Sequence, residues 1–425
     1  YQSLIVGKNR RGWGERFGFV RTFDPTRRRI WIHAVSLGEV NATPRLVELL
    51  RERLPDADIV FSTTTDTGHA RAVHLYGAAR VFRFPLDFSW VVARVLRRVS
   101  PSMIVLVELE VWYNLVRMAT RAGVPVLVVN GRFTDRSARR LNWLGRPVRS
   151  MFGDLAWVGA QDEAIASRFC TLGVLPDRVE ITSSLKWDSA TVTDRVEGAD
   201  ELASAMGIDL ARPLWVCGST GPGEEAMILD AYRRLLYDWS SLARSVQADS
   251  PKMRIATEPI LAVIPRKPER FDEVARTIER AGFTCIRRSV HADGTRHKPR
   301  SDPAVILGDT MGELRKFYSL ADVVFVGRSL VPLGGSDPME VAALAKPVVV
   351  GPYTENFRLP VMALRTAGAI CIVESPDALP VAVGAILQDG MVAAQLGSRA
   401  REVVINNQGA TKQSVDAVVR LFEAA

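Results

Sequence analysis

The chain has 425 residues, too many for one typical hydrophobic core, so two domains are expected. Hydrophobic residues make up 47% and charged residues 24%, as in an ordinary soluble globular protein, and no run approaches the roughly eighteen apolar residues of a membrane span. The net charge of +8 leans toward anionic partners: nucleic acid, an acidic lipid surface or a phosphorylated substrate.

Much of that charge lies at the start. Lys8, Arg10, Arg11, Arg16, Arg21, Arg27, Arg28 and Arg29 are interleaved with Trp13, Phe17 and Phe19. Such a segment suits an anionic membrane surface, or it is a solvated arm. Short apolar, β-branched runs then alternate with helical patterns. Strands are expected at 30–35, 59–63, 81–84, 103–107, 126–129, 156–159 and 179–182, with helices such as 43–53 and 67–76 between them. This rhythm specifies βαβ units and a mostly parallel sheet. A polar, acidic stretch near 188–212 reads as a linker without a strand. The rhythm restarts at 214–217, 260–264, 283–286, 305–307, 323–326, 348–350 and 370–373, and two polar stretches near 238–258 and 289–302 read as surface insertions. The expected architecture is two α/β domains whose strand ends face a central cleft, where open parallel sheets bind ligands. The boundary is placed between 195 and 196, with the last helix free to pack back on the first domain.

Cys170, Cys217, Cys285 and Cys371 are far apart, so neither a disulfide framework nor a thiolate metal site is expected. The five histidines give no zinc pattern; His69 and His74 are five residues apart, wrong for one helix face. The informative residues follow the strands. Glu39 comes after a Ser-Leu-Gly turn and just before a helix; it reads as a cap, a solvated charge or a chemical group. Glu108 and Glu110 follow an apolar strand, where a carboxylate is costly unless partnered or solvated, or they are a helix N-terminal charge pair.

In the second half, "CGSTGPGEEAMIL" is strand, small-residue turn and helix, a weak phosphate signal that lacks a Walker lysine. Arg266, Lys267 and Arg270 follow a strand as a possible anion clamp or a basic helix start. In "GRSLVPLGGSDPMEVAALAKPVVVGPYTENF", Gly334 and Gly335 permit close backbone approach and Glu340 lies in a first helical turn, able to accept from a ribose diol. This last arrangement is common in two-domain glycosyltransferases that use nucleotide sugars.

Taken together these segments resemble the 3-deoxy-D-manno-octulosonic acid (Kdo) transferases. The residues that carry the resemblance are "HAVSLGE" (33–39), "STTTDTG" (62–68), "ELEVWYN" (108–114), "NGRFTDRSAR" (130–139), "SSLKWD" (183–188), "GSTGPGEE" (218–225), "PRKPERF" (265–271), "LGDTMGEL" (307–314) and the long stretch 327–357. The resemblance implies a GT-B-type α/β fold of two Rossmann-like domains, acceptor side first and nucleotide side second. It implies an inverting transfer of Kdo from CMP-Kdo to a phosphorylated lipid A precursor, at the cytoplasmic face of a bacterial inner membrane.

It also assigns residues. Glu39 is the implied catalytic base, its anion favoured by the helix N-terminus, and Glu110 the second acidic residue. Ser36, Gly38, Thr64 and Arg132 fall on the acceptor side. Lys186, Ser219, Arg266, Gly312, Ser329, Asp337 and Glu340 fall on the donor side. Arg266 would neutralise the phosphate as CMP leaves, Glu340 would hold the ribose, and Lys186 would pair with the donor carboxylate or phosphate. No metal or other cofactor is implied, and no nucleic-acid-reading motif is visible. The sequence departs from the family pattern at Lys267, Arg328, Ser336 and Asp337; the added charge of Asp337 calls for compensation by Lys267 or Arg328. Alternative readings are a transferase or epimerase using a UDP-sugar, and a catalytically silent nucleotide-binding relative.

Overall fold

A computed structural model describes residues 12–245, 257–291 and 304–424. Lys8, Arg10 and Arg11 of the basic start therefore lie outside the described residues, as do most of both expected insertions. Residues 238–245 belong to a long helix, Glu224–Ser245, rather than to an insertion.

The strands of the first sheet are β1 (Arg29–His33), β2 (Asp58–Thr63), β3 (Val81–Arg83), β4 (Met103–Val107), β5 (Val126–Gly131), β6 (Trp157–Ala160) and β7 (Val179–Ile181). The second sheet takes β8 (Leu214–Thr220), β9 (Ile260–Pro265), β10 (Thr284–Arg287), β11 (Ala304–Leu307), β12 (Val323–Val326), β13 (Val348–Val350) and β14 (Ile370–Ile372). The orders are β3-β2-β1-β4-β5-β6-β7 and β10-β11-β9-β8-β12-β13-β14, and neighbouring strands pair in parallel. A parallel sheet buries both faces, which is why its strands read as nearly unbroken apolar runs. In β4, Ile104 and Leu106 enter one core while Met103, Val105 and Val107 enter the other, as the two-residue period requires.

The chain divides into two compact units. The first runs as far as Ser189 and resumes at Asn407; the second is Ala190–Asn406. The acidic stretch is not a bare linker. Its Ala199–Met206 helix buries Ala199, Leu202, Ala203, Ala205 and Met206 and packs on the Leu314–Leu320 helix of the second unit.

In each sheet the strand order reverses beside the first strand, between β1 and β4 and between β8 and β12; in the second sheet β11 also turns back to lie between β9 and β10. Connections on either side of such a point run off in opposite directions and leave a crevice beyond the strand ends. The segments entering it are 34–39 and 108–112 in the first unit, and 221–223 and 327–338 in the second.

Candidate active site

Glu39 lies in the first turn of a five-residue helix, Leu37–Asn41. Ser36 is its N-cap: the Glu39 amide donates to Ser36 Oγ at 3.4 Å, and Ser36 Oγ donates to Glu39 Oε1 at 2.8 Å. The amide of Val35 donates to Oε2 at 2.8 Å. The cap reading of this glutamate is thus correct as geometry: Ser-Leu-Gly-Glu forms a variant of the capping box, in which the carboxylate takes the N-cap hydroxyl and the amide before the N-cap. The electrostatics differ from the sequence expectation. Burial raises the Glu39 pKa to about 7; the Val35 and Ser36 hydrogen bonds lower it, and the nearby charges of Glu108 and Glu110 raise it again. Burial outweighs the N-terminal stabilisation of one short helix, so the carboxyl titrates near neutrality instead of standing fully ionised.

Glu108 marks the place where the chain leaves β4. Its φ of 64° is left-handed, uncommon for a residue with a side chain, and its amide still donates to Val129 O at 3.0 Å. Burial raises its pKa, Arg132 and Lys186 lower it, and Glu110 raises it. Glu110 Oε2 accepts from Trp112 Nε1 at 2.9 Å and lies 3.8 Å from His33 Nε2. Three carboxyls therefore share one end of the first sheet. The helix-terminus reading of Glu108 and Glu110 is replaced by a different residue. Asp87 accepts the amides of Asn114 and Leu115, both at 2.9 Å, and so caps the Tyr113–Arg121 helix.

Of the other residues expected on the acceptor side, Arg132 is exposed beyond β5, and Gly38 is exposed, where a Cβ would meet only Ser36 Oγ at 3.9 Å. The Thr64 amide donates to Val35 O at 3.3 Å, its carbonyl accepts from buried Arg16 at 2.6 Å, and its hydroxyl is buried without a partner. Lys186, assigned by resemblance to the donor, belongs to the first unit and faces Glu108.

In the second unit the glycine-rich turn after β8 is organised around Glu224. This fully buried carboxylate accepts from the amides of Gly221 and Ser329 at 2.8 Å, Leu330 at 2.9 Å, and Arg328. Burial raises its pKa and these four donors lower it; four N–H groups aimed at one carboxyl fit only the acceptor form, the carboxylate. Glu225 holds Arg270 through two hydrogen bonds of 2.7 and 2.9 Å, and Glu273 takes two more of 3.0 and 3.4 Å. Arg270 is therefore spent inside the fold, which leaves exposed Arg266 and Lys267 as the cations of the expected clamp.

Ser219 is nearly buried with a φ of 55°. Gly312 is exposed with a φ of 84° and open space where a Cβ would stand. Asp337 Oδ1 accepts the Met339 amide at 2.8 Å, and Glu340 follows in the first turn of the Met339–Ala343 helix. Burial raises the Glu340 pKa, while Arg315 and then Arg266 lower it. Arg315 escaped the sequence reading; it directly follows "LGDTMGEL". Ser329 differs from expectation. It has no exposed surface, its hydroxyl donates to Val326 O at 2.6 Å, and it accepts from the Gly351 amide at 2.9 Å, so it fastens the loop. Arg328 reaches Leu333 O at 3.0 Å.

A family model described as 3-deoxy-D-manno-octulosonic-acid transferase matches residues 11–189. The chain is 33% identical over 418 residues to a 3-deoxy-D-manno-octulosonic acid transferase of Haemophilus influenzae, covering 97% of this chain and 92% of that protein. It is 35% identical over 398 residues to one from Bordetella pertussis, covering 92% and 86%. Among solved structures, MurG of Acinetobacter baumannii superposes with a TM-score of 0.51 over 94% of this chain and all of that one, at 13% identity. That likeness shows a shared GT-B fold.

Proposed function

We propose that this chain, which belongs to the 3-deoxy-D-manno-octulosonic acid transferase family and is a glycosyltransferase, moves Kdo with inversion from CMP-Kdo to a lipid A precursor. The observation that carries the reading is Glu39: a carboxyl fixed by Val35 and Ser36 at the reversal point of the first sheet, with a pKa raised to about 7. A base in that range is matched to deprotonating a sugar hydroxyl near neutral pH, an effect worth roughly 10²–10⁴-fold. The acceptor oxygen bonds to the anomeric carbon as the bond from that carbon to the CMP phosphate oxygen breaks. The electron pair leaves with CMP, and the acceptor proton passes to Glu39.

The names of the relatives support Kdo as the transferred sugar, and the second unit supplies a chemically fitting donor side. Arg266 offsets the charge of the leaving phosphate and Glu340 accepts from the ribose, with Ser219, Gly312 and Asp337 around them. Glu110 serves the acceptor side with Ser36, Gly38, Thr64 and Arg132. Lys186 joins them and offsets Glu108.

The proposed place of action is the cytoplasmic face of the inner membrane. Trp13, Phe17, Phe19, Phe88 and Trp90 are exposed large aromatics. Phe17 and Phe88 stack on Trp90 at 6.2 and 6.4 Å, and the Arg94 guanidinium lies 4.3 Å over Phe19. Exposed aromatics beside arginines suit the headgroup region of an anionic bilayer.

The test is transfer from CMP-Kdo to a tetraacylated lipid A precursor carried in vesicles. The wild type should transfer, faster in anionic than in zwitterionic vesicles, and Glu39→Ala should fall by on the order of 10²–10⁴-fold. Transfer surviving in Glu39→Ala would remove the base assignment. A folded wild type that binds CMP and transfers nothing would remove the reaction itself.

A further inference from the structure

His33 ends β1 with no exposed surface. Its ring stacks on Phe84 at a centroid distance of 3.8 Å, and its Nε2 is buried without a hydrogen-bond partner while facing Glu110 Oε2 at 3.8 Å. The other ring nitrogen, Nδ1, is 2.9 Å from Ser62 Oγ and 3.0 Å from Ser62 O. Ser62 bears on the tautomer. Its Oγ accepts from the indole N–H of Trp31 at 2.8 Å, and its carbonyl already accepts the Ala34 amide at 3.1 Å. The hydroxyl proton of Ser62 is free to donate to Nδ1, an arrangement that fits a ring proton on Nε2. The opposite tautomer would aim a buried lone pair at a glutamate, with nothing to satisfy it.

We propose that His33 is a positioning residue for the transfer: a relay of Trp31 and Ser62 orients its ring, and it presents an Nε2–H to Glu110. The inference rests on the acceptor-side reading of this site. Trp112 donates to the same Oε2 at 2.9 Å, and the His33 ring nitrogen faces it from 3.8 Å, so the two groups approach one oxygen from which the carboxyl can be oriented. The 3.8 Å separation is longer than a hydrogen bond, and catalytic hydrogen bonds of this kind tighten when substrate fills the site. Glu110 then stands at a fixed place beside Glu39, instead of swinging on its own side-chain torsions.

The experiment has two readouts. Nitrogen-15 NMR of the histidine-labelled full chain, which holds five histidines, reports the His33 tautomer without substrate. The wild type should show a ring protonated at Nε2, and Ser62→Ala should lose that preference. In the transfer assay His33→Phe, which keeps the stacking on Phe84, should lose kcat by on the order of 10²-fold with KM nearly unchanged. His33→Gln, whose amide nitrogen reaches toward the Nε2 position, should recover part of it. A wild-type ring protonated at Nδ1 alone, or a His33→Phe variant with wild-type kcat, would overturn the proposal. A wild type that transfers no Kdo defeats the reaction assignment instead, and the tautomer then decides the His33 inference by itself.

Discussion

Glu39 accepts two hydrogen bonds at 2.8 Å and still has its pKa raised to about 7, because burial outweighs both of them and the charges of Glu108 and Glu110 add to it. Two consequences follow with definite signs. The proposed transfer needs the unprotonated carboxylate, so kcat/KM should rise with pH and level off above about 7 in a pH–rate profile; a flat profile across that range would argue against Glu39 as the base. Stability moves the other way. The folded carboxyl holds its proton more tightly than the unfolded one, whose pKa is near 4.5, so the folded state binds more protons between about 4.5 and 7 and loses stability as pH rises through that window. Glutamine at this position carries no charge to desolvate. Glu39→Gln should be nearly inactive yet more stable than wild type at pH 8, by on the order of 1 kcal/mol after the altered hydrogen bonds are allowed for. The difference should shrink toward pH 5, as measured by urea unfolding. A variant less stable at both pH values would mean that the capping role of the carboxylate exceeds its desolvation cost.

The loops that end β8 and β12 owe their shape to one side chain. Glu224 takes four amides, three of them consecutive from Arg328 to Leu330, so the turn after β8 and the loop after β12 close on the same carboxylate. Glutamine would turn an NH₂ toward donors and leave buried N–H groups unsatisfied. Glu224→Gln should cost about 2–4 kcal/mol of second-unit stability, and CMP binding by calorimetry should weaken with it. An unchanged CMP affinity would separate this loop from the nucleotide site. The strands around these loops were legible because both sheet faces are buried, which turns β4 and β12 into unbroken apolar runs. The Ala199–Met206 helix was not, since its buried stripe is mostly alanine inside an acidic stretch. Arg270 read as a free cation because its partner Glu225 is forty-five residues away in the chain. The left-handed backbone of Glu108, the orphaned nitrogen of His33 and the approach of Arg315 to Glu340 are properties of the folded arrangement, and no spacing announces them.

The whole chain leaves its first unit at Ser189 and returns to it at Asn407, and the two passages are fastened together on that unit. Asp188, on the outgoing passage, accepts the amide of Gly409 at 2.7 Å and also that of Thr411, which caps the returning Ala410–Ala424 helix. Gln408 donates to Trp187 O at 3.1 Å beside them. The helix then buries Val415, Val418, Val419 and Phe422 in the core that holds Leu46, Val47 and Leu50 of the Pro44–Arg53 helix. Arg28 lies 4.1 Å over Phe422, and Arg53 pairs with Asp416 at 3.0 Å. The last segment of the chain is thus a structural part of the unit that carries Glu39, although the second unit separates them in sequence. None of its residues enters the main second-unit core around Trp215 and Phe325. Ending the chain after Asn406 should therefore remove several kcal/mol from the first unit, since each large buried side chain lost costs about 2–5 kcal/mol. The unfolding transition of the second unit should stay in place, and CMP binding should survive while transfer is lost. Urea unfolding followed by hydrogen exchange on both cores reads this directly. A truncated chain whose two units weaken together would show that their stabilities are coupled beyond these two passages.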